Sequence, residues 1–186
     1  MVAIGSLWIA IVVSAVIVFI ASSLMWMVLP HHRGDYKQLP GENEIRAVVR
    51  KQNPPPGLYV IPYAKDQKER QQPEMVKKME EGPVGMLTLM KPGKPSMGKN
   101  LAQYFVYNLF VSFFVAYIAG RTLPEGSNYL AVFRVAGSIA VLAYACAIIP
   151  SGIWWGRPWR NVTTEVFDGV VYGLLTAGSF GWLWPR

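Results

Sequence analysis

Cysteine is almost missing from this 186-residue chain: Cys146 stands alone, which rules out an internal disulfide and any C-x-x-C metal knuckle. Set in an apolar run, it reads as a small buried residue. Charge is scarce too, at 16% of residues, and none falls between Val2 and Leu29. No H-E-x-x-H, C-x-x-C-H, Ser-His-Asp or paired-carboxylate arrangement is present, so no complete active site is visible and the chain reads as more suited to a non-catalytic role than to an enzyme. No metal or cofactor is expected. His31 and His32, the only imidazoles, are the weak metal candidates, because neighbouring side chains point in different directions.

A phosphate-binding loop is also missing, by one residue. The stretch GKPSMGKNL, Gly93 to Leu101, has the glycines and lysine of G-x-x-x-x-G-K-[ST], but Asn100 replaces the hydroxyl that would hold magnesium. The helix that follows is an apolar span, and the polar segment before it is too short for the layered parallel sheet of a nucleotide domain. Nucleotide is therefore excluded as a ligand. A net charge of +7 could serve nucleic acid, but membrane topology explains the basic residues more simply, and no nucleic-acid partner is expected.

What the sequence has in abundance is apolar length. Val2 to Leu29, at about 1.5 Å per residue, exceeds the roughly 30 Å hydrocarbon layer of a bilayer. It is too long for a secretory signal, no basic region precedes it, and Pro-His-His-Arg follows in place of a small-residue cleavage site. Leu101 to Gly120, Tyr129 to Ile149 and roughly Thr164 to Trp184 give three further spans, and Pro30, Pro124, Pro150 and Pro185 sit just beyond the ends. The expected fold is an all-α membrane protein of four transmembrane helices, with a small mixed α/β segment between the first two. Its divisions are residues 1–29, the first helix; 30–100, a surface-lying segment; and 101–186, the remaining three helices.

Of the 18 lysines and arginines, all but Arg121, Arg134, Arg157, Arg160 and Arg186 fall between Arg33 and Lys99. With four spans, that segment shares a side with the loop carrying Arg157 and Arg160. The positive-inside rule then puts residues 30–100 in the cytoplasm and both termini outside. In the segment, NEIRAVVRK and Pro73 to Glu81 read as short helices, and Leu58 to Tyr63 and Val84 to Met90 as strands. A two-stranded ribbon is marginal in water, so the segment is expected on the membrane surface or on a partner.

Several residues stand out against this background. Gly169, Gly173, Ala177 and Gly181 form a small-residue stripe suited to close helix packing, within the chain or against another subunit. Ser96, Gly98 and Lys99 at a helix start, with Arg157 and Arg160 on the same side, could meet a lipid headgroup or another anion; the plainer reading is a lysine that reaches for the interface. Asn108, Arg134 and Asp168 are polar groups inside spans. Asp168, with Glu165, lies near a helix start whose dipole favours it, and Lys99, Arg157 and Arg160 are possible ion-pair partners; Arg134 belongs to the opposite side. Asn161-Val162-Thr163 matches a glycosylation sequon but is idle on a cytoplasmic face.

MWMVLPHHRGDYKQLPGE, GLYVIPYA, KPSMGKNL and TEVFDGVVYGLLTAGSFGWLWPR together resemble a family of small four-span bacterial membrane proteins of unassigned function. The resemblance covers nearly the whole chain and implies the architecture and a bacterial inner-membrane setting. It transfers no site residue. The expected function is a non-catalytic accessory or structural subunit of a larger or self-associated membrane complex, with lipid bilayer and membrane protein as partners. The alternative is a small oligomeric carrier or channel, with Asp168 and Asn108 on a polar path.

Overall fold

The computed structural model describes residues 1–186. Its helices are α1 (Trp8–Met27), α2 (Glu42–Gln52), α3 (Gln67–Arg70), α4 (Pro73–Glu81), α5 (Met97–Thr122), α6 (Tyr129–Tyr144), α7 (Ile149–Trp155) and α8 (Trp159–Trp182), with strands β1 (Gly57–Ile61) and β2 (Gly85–Leu89). They fall into two compact units, one of Met1–Tyr36 with Ser96–Arg186 and one of Lys37–Pro95.

Three helical stretches, Ile4–Met27, Met97–Thr122 and Tyr129–Trp155, are long and apolar enough to cross a membrane. The protein is thus a mostly helical one fitted to a bilayer. The fourth long helix, α8, packs most extensively against α6 and also against α1, which in turn meets α5. The interior is rich in small and polar side chains, with Phe180, Leu7 and a set of valines among them, whereas many large apolar ones face outward. Ala15, Ala116, Ala119, Ala136, Ala140 and Ala177 are fully buried, as are Ser14, Ser112, Asn108 and Thr176, while Trp8, Ile20, Leu24, Val106, Phe110, Phe167 and Leu174 are exposed. Lipid tails solvate such an exterior, and close backbone approach, with hydroxyls paired inside, holds such an interior. Ser14 Oγ donates to Ser112 Oγ at 2.9 Å between α1 and α5.

The closest approach is between α8 and α6. A Cβ added at Gly169 would lie 2.6 Å from the Tyr144 carbonyl oxygen, and one at Gly173 would lie 2.9 Å from the Val141 nitrogen. Ala177 sits 3.0 Å from the position of a Cβ on Gly137, and Gly181 faces the Tyr129 ring. The small-residue stripe is therefore occupied by a neighbouring helix of the same chain.

Two helix bounds depart from the sequence reading. The third span does not stop before Pro150. It loosens into a 3-10 turn at Cys146–Ile148 and resumes as α7, with Pro150 in the first turn, where its missing N–H costs nothing. Cys146, read as buried, is exposed there. The fourth helix begins at Trp159 instead of Thr164, because Pro158 can precede a helix start and the polar WRNVTT stretch continues regular helix beyond the apolar run. Asp168 thus lies in the third turn of α8, deeper than its hydropathy-based place one turn in.

In the second unit, β1 and β2 pair antiparallel from Gly57↔Leu89 to Ile61↔Gly85. Pro62 ends the first strand, Asn53 at φ 47° ends α2 before three prolines, and Gly82 at φ 65° ends α4. Met75 is the single buried apolar residue of this unit.

Candidate functional site

The site is built where α1 ends. Leu29 leaves the helix extended, and Pro30 opens a 3-10 turn through His32. That turn presents both histidines to one carboxylate on α8. His31 Nε2 lies 3.0 Å from Asp168 Oδ1, and His32 Nε2 lies 2.7 Å from Asp168 Oδ2. The sequence reading held that adjacent histidines diverge. Instead a carboxylate offers two oxygens and each ring takes one, leaving the ring centroids 4.3 Å apart.

Behind His32, Nδ1 faces Asp35 Oδ2 at 2.5 Å, and the Trp26 ring stacks on the imidazole at 3.9 Å and 14°. Asp35 is fixed from α8 as well. Arg160 donates to its Oδ1 at 3.0 Å, and Asn161 donates to its backbone carbonyl at 3.0 Å. Arg160 also reaches the His31 carbonyl. Gly34 gives that guanidinium room, since a Cβ there would lie 2.9 Å from Arg160 Nη1. The side chains of Asp168, Asp35 and His32 are nearly sealed, at 3%, 2% and 5% exposure, so the charges meet in a medium that strengthens them. Burial lowers the His32 pKa, but hydrogen bonds and charges from Asp35 and Asp168 outweigh it and hold the ring above the ordinary imidazole value.

The ion pairs differ from those expected for Asp168. Arg160 binds Asp35, Arg157 binds Glu165, and Asp168 meets only histidine. Lys99 is exposed at the start of α5, where Ser96 caps the helix by accepting from the Lys99 N–H at 3.4 Å, and Gly98 has open space around it. Ser96, Gly98 and Lys99 are thus not gathered with Arg157 and Arg160 into one anion site by any ion pair or hydrogen bond. Arg134 is exposed on α6, away from Asp168. Asn108 is fully buried, and neither of its side-chain polar atoms has a protein partner.

Asp168 has a second face. It lines a cavity of about 660 Å³ among α1, α5, α8 and the α6–α7 junction. Trp26, Met27, Met97, Leu101, Ala147 and Ile148 supply apolar wall, while Tyr104, Tyr107, Tyr144, Tyr172, Glu165 and Asp168 supply polar atoms. The tyrosines form a chain of ring contacts, Tyr104 to Tyr107 at 6.1 Å, Tyr107 to Tyr144 at 6.0 Å and Tyr144 to Tyr172 at 5.9 Å. The hydroxyls of Tyr144 and Tyr172 are buried with no protein partner. Buried hydroxyls ordinarily find one, so these two are sealed in the packed wall at a cost in stability.

A helical protein suited to a bilayer, with a polar cluster beside an aromatic cavity, is the class that fold and site define. No family model, curated protein or solved structure matches the chain.

Proposed function

We propose that this chain is a four-span integral membrane protein of non-catalytic, accessory character, which holds an amphipathic membrane constituent in the cavity beside Asp168. The observation that carries this reading is the cavity itself. Its volume of about 660 Å³ falls within the range of small-molecule sites, and its wall combines apolar surface with tyrosine and carboxylate side chains. A guest with an apolar body and a hydrogen-bonding head fits that division. The fourth span is α8, whose buried polar face turns inward to α1 and α6 and whose Phe167, Leu174 and Trp182 face outward. A bacterial inner membrane, with residues 30–100 in the cytoplasm and both termini outside, is supported by the resemblance and by the placing of the basic residues.

The reading is tested by extracting the chain in mild detergent and measuring what travels with it by native mass spectrometry. Ala147 lines the cavity and is exposed, so Ala147→Trp fills space without crowding the helix core. A discrete amphipathic molecule bound to the wild type and lost from Ala147→Trp is the expected result. Equal retention of that molecule by both proteins, or none on the wild type after reconstitution in native lipid, refutes the reading.

A further inference from the structure

The chain has two histidines in all, and both converge on one carboxylate contributed from the far end of the sequence. We propose that His31, His32 and Asp168 form a binding site for a divalent first-row transition ion of the zinc or iron(II) kind, with both histidines coordinating through Nε2 and Asp168 through its carboxylate. This goes beyond the cavity reading and does not depend on it.

Geometry is the first support. The candidate ligand atoms all lie within 4.8 Å of one another, with nitrogen to oxygen separations of 3.0 and 2.7 Å. Ligands at roughly 2.0–2.2 Å from an ion in tetrahedral or octahedral array stand roughly 2.9–3.4 Å apart, a spacing the two nitrogen to oxygen separations meet to within a few tenths of an ångström. Donor accounting is the second. Each nitrogen of His32 faces a different carboxylate, Asp35 at Nδ1 and Asp168 at Nε2, so Nδ1 can be the N–H side of the ring and Nε2 the side that meets an ion.

The third support comes from the groups behind the ligands. A carboxylate on the far nitrogen of a coordinating histidine sets its tautomer and raises its basicity, and Asp35 is placed to do this, itself held by Arg160 and Asn161. Two imidazoles and one carboxylate suit zinc and iron(II), whereas magnesium and calcium favour all-oxygen shells. Three protein ligands leave at least one position for water or another molecule.

The test uses the full chain without a histidine tag, in detergent, stripped with a chelator and titrated with Co²⁺ under visible absorption. One Co²⁺ per chain is expected, displaced by equimolar Zn²⁺; Mg²⁺ at the same concentration leaves the spectrum unchanged. Asp35→Asn, a positioning change, weakens Co²⁺ binding about ten- to a hundredfold at unchanged stoichiometry. His32→Ala abolishes saturable binding. Absence of one-to-one binding by the wild type, or unchanged affinity in His32→Ala, overturns the proposal. Should the variants fail to fold, modification of the wild-type histidines by diethyl pyrocarbonate decides: protection by Zn²⁺ but not Mg²⁺ upholds the site, and equal modification overturns it.

Discussion

Replacing Gly169 by alanine should separate crowding from every other effect of a methyl group in the α6–α8 contact. The added Cβ would lie 2.6 Å from the Tyr144 carbonyl oxygen and 2.7 Å from both the Tyr144 carbonyl carbon and Ala145 Cα, all backbone. No rotamer change relieves a backbone clash. The helices must part locally by about 0.8 Å to bring 2.6 Å up to the 3.4 Å at which ordinary contact begins. Crowding of this kind costs about 1–3 kcal/mol, set against about 1 kcal/mol that alanine gains over glycine within a helix. Gly178→Ala is the control. Its nearest neighbour would be the Tyr129 hydroxyl at 3.7 Å, an ordinary contact, so it keeps the intrinsic gain and adds no clash. The difference between the two variants is then the crowding cost alone, about 1–3 kcal/mol. Gly181→Ala falls between them, because the Tyr129 ring it meets at 2.7 Å is half exposed and can swing aside. Reversible unfolding in mixed micelles, titrated with a denaturing detergent, measures all three. A Gly169→Ala protein as stable as Gly178→Ala would refute the inference that α8 touches α6 backbone to backbone.

The polar cluster and the topology give further expectations. Asp168→Ala strips two histidines of their shared acceptor, leaving His32 with Asp35 alone, and should cost about 1–3 kcal/mol in the same unfolding assay. Arg157→Gln breaks the partly exposed pair with Glu165 and should cost no more than about 1 kcal/mol; equal losses for the two would contradict the burial difference between them. With Cys146 changed to serine, single cysteines at Ser127 and at Lys37 should react with a membrane-impermeant maleimide in intact cells at the first position only. The reverse pattern, or reaction at both, would undo the assigned orientation.

Three of the four expected spans were legible because their signal is compositional and needs no neighbour. A charge-free run from Val2 to Leu29 leaves few alternatives in any context. Short-range features could be read too: Pro73 and Gly82 do bound α4, since proline and glycine act through their own backbone. The start of α8 was misplaced because WRNVTT is polar, and hydropathy sees solvent preference, not helical dihedrals. The cluster at Asp168 was hidden for a different reason. His31 and His32 are separated from it by 137 and 136 positions, and which carboxylate they meet is set by how α1 lies on α8. One clue was present: a carboxylate near the start of the expected fourth span and an imidazole pair just past the first are expected on the same side of the bundle. The four cavity tyrosines carried no such clue, since tyrosine at those places is equally at home against headgroups.

The clasp between Asp35 and Arg160 also sets an order of events during synthesis. The two residues are 125 positions apart, so at roughly 5–20 residues per second the ribosome delivers Arg160 about ten seconds after Asp35. For that interval α1 is already made, while its histidine turn lacks the partners that α8 supplies. The α8 helix arrives last and brings Asp168, Arg160 and Asn161 together. The polar cluster therefore closes late, after α1 can already have met α5, and only once the final helix docks.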